Sequence, residues 1–143
     1  MRRVQWTAAA ALAALALVAA LPLRGFADGD GDGRNRGEVR LEAALTPTRA
    51  DPQASGRVEF EKRPGRKELR VDVQNITSTD VVDVFANGRF LGRIELRGGS
   101  GRLELNSQNG DHVPKLRAGE RVRVLDARDD MRVILVGTLV SHN

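Results

Sequence analysis

A chain of 143 residues has room for one domain, and its formal charge of +4 comes from 23 Lys and Arg against 19 Asp and Glu. It contains no cysteine, which excludes a disulfide framework, a thiolate metal site, a cysteine nucleophile and a lipidated N-terminal cysteine. Nucleic-acid binding calls for a concentrated basic footprint that neutralises phosphates, and no stretch of this sequence supplies one.

The first element is a leader. "MRR" is followed by the uncharged apolar run "TAAAALAALALVAALPL", Thr7 to Leu23, and "RGFA" then sets Gly25 and Ala27 at the −3 and −1 positions of a small-residue cleavage site. A charged start, an apolar middle and a small-residue exit make residues 1–27 a helical secretory signal peptide, cleaved after Ala27. The rival reading is an uncleaved anchor, but the run falls short of the ~20 residues that span a bilayer. Polar Gln5 stands where twin-arginine export expects an apolar residue, so the general secretory route is expected. Arg2, Arg3 and Arg24 leave with the leader and no acid does, so the remaining chain carries 20 basic against 19 acidic residues. These features predict a secreted or periplasmic protein without stable membrane insertion after cleavage.

Residues 28–37 come next, within "DGDGDGRNRGE". Asp28, Asp30, Asp32 and Gly33 match the first half of a calcium loop, in which alternating side-chain oxygens enclose the ion. The second half departs from it, with Arg36 at the ninth position, Val39 at the twelfth and Glu38 one residue early. A flexible, hydrated Asp/Gly linker is therefore expected, with a calcium-dependent adhesion module as the alternative.

From Glu38 onward the pattern has period two, the mark of half-buried strands. "EVRLEAAL" places Val39, Leu41, Ala43 and Leu45 on one face. "GRVEFEK" turns Val58 and Phe60 inward, "RPGR" (Arg63 to Arg66) is a turn, and "KELRVDVQ" returns with Leu69, Val71 and Val73 inward. "VVDVFA" and "RFLGRIEL" flank Asn87-Gly88, the pair favoured by a two-residue type I′ hairpin turn. "GGSG" leads into "RLELN", and "SQNGDHVPKLRAG" is the longest loop. "ERVRVLD" comes next with Val122 and Val124 inward, then the "ARDD" turn and the nearly all-apolar "MRVILVGTLV", expected to be a central strand covered on both faces. About eight short strands with turn chemistry between them predict an all-β domain over residues 38–143. Such a pattern indicates a β-sandwich or a small barrel, and the expected form is a single antiparallel β-sandwich of the immunoglobulin-like, Greek-key type. "SGRVEF" (Ser55 to Phe60) and "SGRLEL" (Ser100 to Leu105) echo one another, from a duplication or by coincidence.

Residues that could carry chemistry are few. His112 and His142 are the only histidines. His112 sits beside Asp111 in the longest loop, so this pair is the candidate for general-base or metal chemistry. Zinc needs three or four ligands, and no second histidine lies at ligand spacing. Asp111 is also suited to capping the turn after Asn109-Gly110. The serines lack a nucleophile-elbow motif. Glu59 and Glu61 lie two apart on an outward face, where cross-strand arginines are the expected neighbours. Outward Arg57, Arg70, Arg93, Arg102, Arg121 and Arg123 could form a stripe for an acidic glycan or membrane surface. They alternate with Glu59, Asp72, Glu95 and Glu104, so cross-strand charge pairing is expected. Beyond the leader the aromatic residues are Phe60, Phe85 and Phe90.

"LEAALTPTRADPQASGRVEFEKRPGRKELRVDVQNI", Leu41 to Ile76, resembles the opening of chordin-type (CHRD) domains, with a leading Leu strand, an Ala-Ser-Gly before an alternating strand, and a third strand. The resemblance implies an exported bacterial β-sandwich. The histidine-containing segment of such domains has no counterpart in "TSTDVVDVFANGRF", so no ligand role is carried over. "ANGRFLGRIEL" and "VPKLRAGERVRV" look like small secreted bacterial β-proteins. The expected function is thus non-enzymatic binding or structure in the envelope or extracellular space, with no cofactor and an unidentified protein or glycan partner. The alternatives are calcium-dependent adhesion and a hydrolase using His112 and Asp111.

Overall fold

The structure, a computed structural model, describes residues 37–142. The leader, its cleavage site and Asp28, Asp30 and Asp32 lie outside the described residues. Within them the chain forms nine strands: β1 (Val39–Pro47), β2 (Ser55–Arg63), β3 (Arg66–Gln74), β4 (Val81–Ala86), β5 (Arg89–Glu95), β6 (Gly101–Asn106), β7 (Arg121–Asp126), β8 (Asp129–Thr138) and β9 (Val140–Ser141). The one helical piece among the described residues is a 3₁₀ turn at Ser107–Asn109. The expected all-β, antiparallel class is what forms, because period-two alternation gives each strand one apolar face to bury.

All pairings are antiparallel, and the ladders run in the order β5-β4-β7-β8-β1-β2-β3-β6, with β9 also on β1. The two ends of this path, β5 and β6, are consecutive in the chain and touch. Leu103 Cδ1 would lie 2.7 Å from a Cβ placed on Gly92, and Ile94 Cγ2 would crowd one placed on Gly101. The sheet therefore nearly closes into a barrel. One leaf comprises β1, β2, β3 and β6, the other β5, β4, β7 and β8, and β1 joins them by pairing with β2 along its length and with β8 at Thr46 and Pro47. At that junction Gly137 faces backbone, since an added Cβ would sit 2.6 Å from the Ala44 carbonyl oxygen.

The core is the interior of this closed sheet. Leu41, Ala43 and Leu45 of β1, Val58 and Phe60 of β2, and Leu69, Val71 and Val73 of β3 are all buried, as the alternation predicts. Val82, Val84, Ala86, Val122 and Val124 bury the facing side. Asn87 and Gly88 have φ of 50° and 79°, the positive pair that a type I′ turn requires, and Gly65 at 73° serves the "RPGR" turn.

One expectation needs correction. β8 is central, between β7 and β1, but it is not covered on both faces: Val133 and Val136 are only half-buried and Met131 is 87% exposed. The consecutive apolar residues reflect a bulge instead. Val124 opposes Leu135 while Leu125 opposes Val133, so Ile134 is an extra residue, and Ile134 and Leu135 are both buried.

The echo between "SGRVEF" and "SGRLEL" has a structural counterpart. β2 and β6 flank β3 on its two sides, in the same register. Gly56 and Gly101 both oppose Val73, Arg57 and Arg102 oppose Asp72, Val58 and Leu103 oppose Val71, Glu59 and Glu104 oppose Arg70, and Phe60 and Leu105 oppose Leu69. β3 thus holds the same strand twice.

Candidate functional site

The outward face of the β1-β2-β3-β6 leaf is a charge ladder. Directly opposed outward residues form one row of Arg57, Asp72 and Arg102, and a second of Glu42, Glu59, Arg70 and Glu104. Arg57 lies 3.1 Å from both Glu42 and Glu59, Arg70 lies 3.7 Å from Glu104, and Arg102 is hydrogen-bonded to Asp72. That hydrogen bond and the charge of Asp72 push the Arg102 guanidinium further toward its protonated form. Glu61 meets Arg40 across the strand pair, as expected, and also Arg63 of its own strand, whereas the ion-pair partner of Glu59 is Arg57 of its own strand. A shallow hollow of about 390 Å³ on this face is lined by Glu42, Glu59, Glu61, Glu68 and Glu104 together with Arg40 and Arg70. Its carboxylates already have partners, Glu68 accepting from Asn106 Nδ2 at 2.8 Å and from Arg66.

The outward face of the other leaf differs. Phe85 opposes Phe90 on one side and Arg123 on the other, and Arg123 opposes Val136. The two rings meet edge to face, 5.5 Å between centroids at 65°, and Phe90 is 58% exposed. The cause is again a bulge: Val84 opposes Gly92 but Phe85 opposes Phe90, so Leu91 is the extra residue and turns into the core. Arg93 forms a two-pronged pair with Asp83, at 2.7 and 3.1 Å. Arg121 and Arg123 form no ion pair among the described residues.

The long loop, residues 107–120, extends this surface. It is pinned rather than free. Asn106 Oδ1 accepts from Gln108 N at 2.9 Å, Gly110 turns the chain at φ 87°, and Val113 and Leu116 are buried anchors. Lys67 N donates to Ser107 Oγ at 2.8 Å, and Lys67 Nζ donates to the Val113 carbonyl at 2.8 Å. Arg89 clamps the far end, donating to the Lys115 carbonyl at 3.2 Å and to both oxygens of Glu120 at 3.1 Å. A hollow of about 470 Å³ results, lined by Lys67, Arg89, Phe90, His112, Pro114 and Lys115.

His112 is therefore at this hollow, exposed at its rim. Asp111 does not orient it. The Asp111 carboxylate accepts from Asn106 N at 2.9 Å, closing the 3₁₀ turn, and the His112 side chain has no hydrogen-bond partner among the described residues. Of the six outward arginines, Arg57, Arg70, Arg93 and Arg102 are neutralised by neighbours, leaving Arg121 and Arg123 as free cations among the described residues. Sequence reasoning did not single out Phe85 and Phe90 as a surface pair. The signal was present in "VVDVFA", where Val82, Val84 and Ala86 take the inward positions and Phe85 must face out. Among the described residues no helix is long and apolar enough to cross a membrane, and no group of three His, Asp or Glu side chains has metal-binding geometry. No protein-family model matches the chain, and no curated protein matches it.

Proposed function

We propose that this is an exported binding protein of the bacterial envelope or extracellular space, without catalytic activity, that holds an anionic protein or glycan partner. The binding surface would be the continuous patch of Phe85, Phe90, Arg121, Arg123, Lys115, Lys67 and His112. The observation that carries this reading is the contrast between the two outward faces: one has its arginines paired with carboxylates, the other offers an exposed aromatic ring beside cations without carboxylate partners. An apolar ring supplies contact area, and uncompensated cations supply attraction and orientation for a negative partner. The pinned loop keeps the hollow preformed, which lowers the ordering cost of binding. Binding is favoured over hydrolysis because the Asp111 carboxylate is engaged by Asn106 and stands behind no histidine.

Export rests on the leader read in residues 1–27, and the finer architecture belongs to the same proposal. The two leaves correspond to the facing sheets of an immunoglobulin-like, Greek-key sandwich sharing β1, in keeping with the resemblance of Leu41 to Ile76 to CHRD openings. Retention on immobilised polygalacturonate and polyglutamate tests the binding surface. Retention that falls steeply with salt, and drops about tenfold in Phe90→Ala and Arg123→Glu but not in Arg57→Ala, is expected. No salt-sensitive retention on either matrix, or equal loss in Arg57→Ala, overturns it. N-terminal sequencing of the protein from the secreted and periplasmic fractions tests export, with Asp28 expected as the first residue.

A further inference from the structure

We propose that the β6 position on β3 is a strand-docking site, and that its partner is β6 of a second copy of this chain, exchanged reciprocally. The recognition is written in β3. Asp72 stands between Arg57 and Arg102, and Arg70 stands between Glu59 and Glu104, with Val71 and Leu69 receiving apolar residues from both sides. Either edge of β3 therefore accepts a strand reading Gly-Arg-apolar-Glu-apolar in one register, since a one-residue slip would oppose charges to apolar residues. The complementarity is specific to this pattern, and the chain itself carries it.

The two copies of the strand are held unequally. β2 is locked between β1 and β3, with Val58 and Phe60 fully buried. β6 ends the sheet path, its only ladder among the described residues is with β3, and Leu103 and Leu105 are half-buried. Toward β5 it is held by side-chain contacts, Leu103 over Gly92 and Ile94 over Gly101, plus the single Arg97–Ser100 bridge. Exchange would have to open both flanking segments. The short Arg97–Ser100 turn, with Gly98 and Gly99 at φ 58° and 79°, would release the Gly99 carbonyl from Ile76 N, and the 107–120 connection to β7 would release its Lys67 and Arg89 contacts before re-forming them around the exchanged strand. A partner's β6 would remake every β3 ladder bond and charge pair that the chain's own β6 gives up, so the exchange loses little beyond loop contacts and is self-complementary about a two-fold axis. β2 cannot serve as the exchanged strand, because releasing it would break two ladders and empty the core.

The chain has no cysteine, so engineered thiols report pairing directly. Full-length Arg70→Cys is mixed with full-length Glu104→Cys, unfolded, refolded together at high concentration and oxidised. A covalent heterodimer is expected, because these positions are directly opposed, and an Arg93→Cys plus Glu104→Cys mixture should yield several-fold less. The doubly substituted chain, Arg70→Cys with Glu104→Cys, checks the geometry by closing within one chain at low concentration. Closure there without heterodimer in the mixture overturns the proposal. Sedimentation of the unmodified protein decides independently of any substitution. A dimer that grows with concentration supports it, whereas a monomer at every concentration overturns it.

Discussion

The two leaves of the sheet are built from similar alternating strands, yet they present opposite surfaces. In the β1-β2-β3-β6 leaf the register runs without a shift, so outward arginines and carboxylates stay within reach of one another, directly opposed in Arg102–Asp72 and Arg70–Glu104 and across rows in Arg57–Glu42. In the β5-β4-β7-β8 leaf, bulges at Leu91 and Ile134 each add one residue to a strand. A bulge re-aims the residues beyond it, so Leu91 and Ile134 join the core while Phe90 is kept outward, opposite Phe85, which like Arg123 faces out by alternation. Unbroken register thus makes a satisfied, inert face, and broken register makes one with unspent binding capacity.

Truncation of matched aromatics gives the largest test of this difference. Phe60→Ala, in the interior of the regular leaf, should cost about 3–5 kcal/mol by thermal or denaturant unfolding. Phe90→Ala, on the outward face of the bulged leaf, should leave the melting temperature nearly unchanged while weakening anionic binding. An equal loss of stability in both would erase the distinction between core and binding aromatics.

A smaller effect is expected at the pin between the leaves. Asp51, in the β1–β2 connection, is 2% exposed and accepts from Thr77 N at 2.7 Å and Ser78 N at 3.0 Å, where the chain crosses from β3 to β4. Burial alone would raise its carboxyl, but the backbone donors of Ser78 and Thr77 outweigh it and hold the group below its ordinary 3.8. The folded state therefore binds the proton less readily than the unfolded chain, so the carboxylate's contribution is complete above that value and is lost as pH falls further. Asp51→Asn should cost about 1–3 kcal/mol at neutral pH. The gap between the two proteins should narrow as unfolding is measured below pH 3.8, and a gap independent of pH would refute the assignment.

The smallest effect belongs to the exposed ladder. Asp72→Asn should shift the melting temperature only slightly at low ionic strength, and the shift should vanish in concentrated salt because exposed pairs are screened. A large, salt-insensitive loss would mean that the ladder supports the fold instead of only silencing its surface.

Strand positions and inward faces were legible because period two needs nothing beyond neighbouring residues, as with Leu69, Val71 and Val73. The Asn87-Gly88 and "RPGR" turns were legible because positive φ restricts which residues can stand there. The engagement of Asp111 by its own loop followed from turn chemistry, whereas the fate of "MRVILVGTLV" did not. A continuous apolar run reads the same whether a second layer covers it or a bulge turns two adjacent residues inward. The candidate surface was half legible: the six outward arginines were identifiable, but their neutralisation depended on register, within one hairpin for Arg93–Asp83 and between strands not consecutive in the chain for Arg70–Glu104 and Arg102–Asp72.

By itself, then, the sequence determined the strands, their apolar faces, the tight turns and the all-β class, since each depends on local sterics and on alternation. Only the tertiary structure decided that β2 and β6 lie on either side of β3 in one register, and that β5 and β6 nearly close the sheet. It also decided that Arg121 and Arg123 stand without ion-pair partners, among the described residues, beside Phe85 and Phe90. Those outcomes rest on pairings between distant segments and on single-residue bulges, where the choice of neighbour is set by how the whole sheet fills its interior.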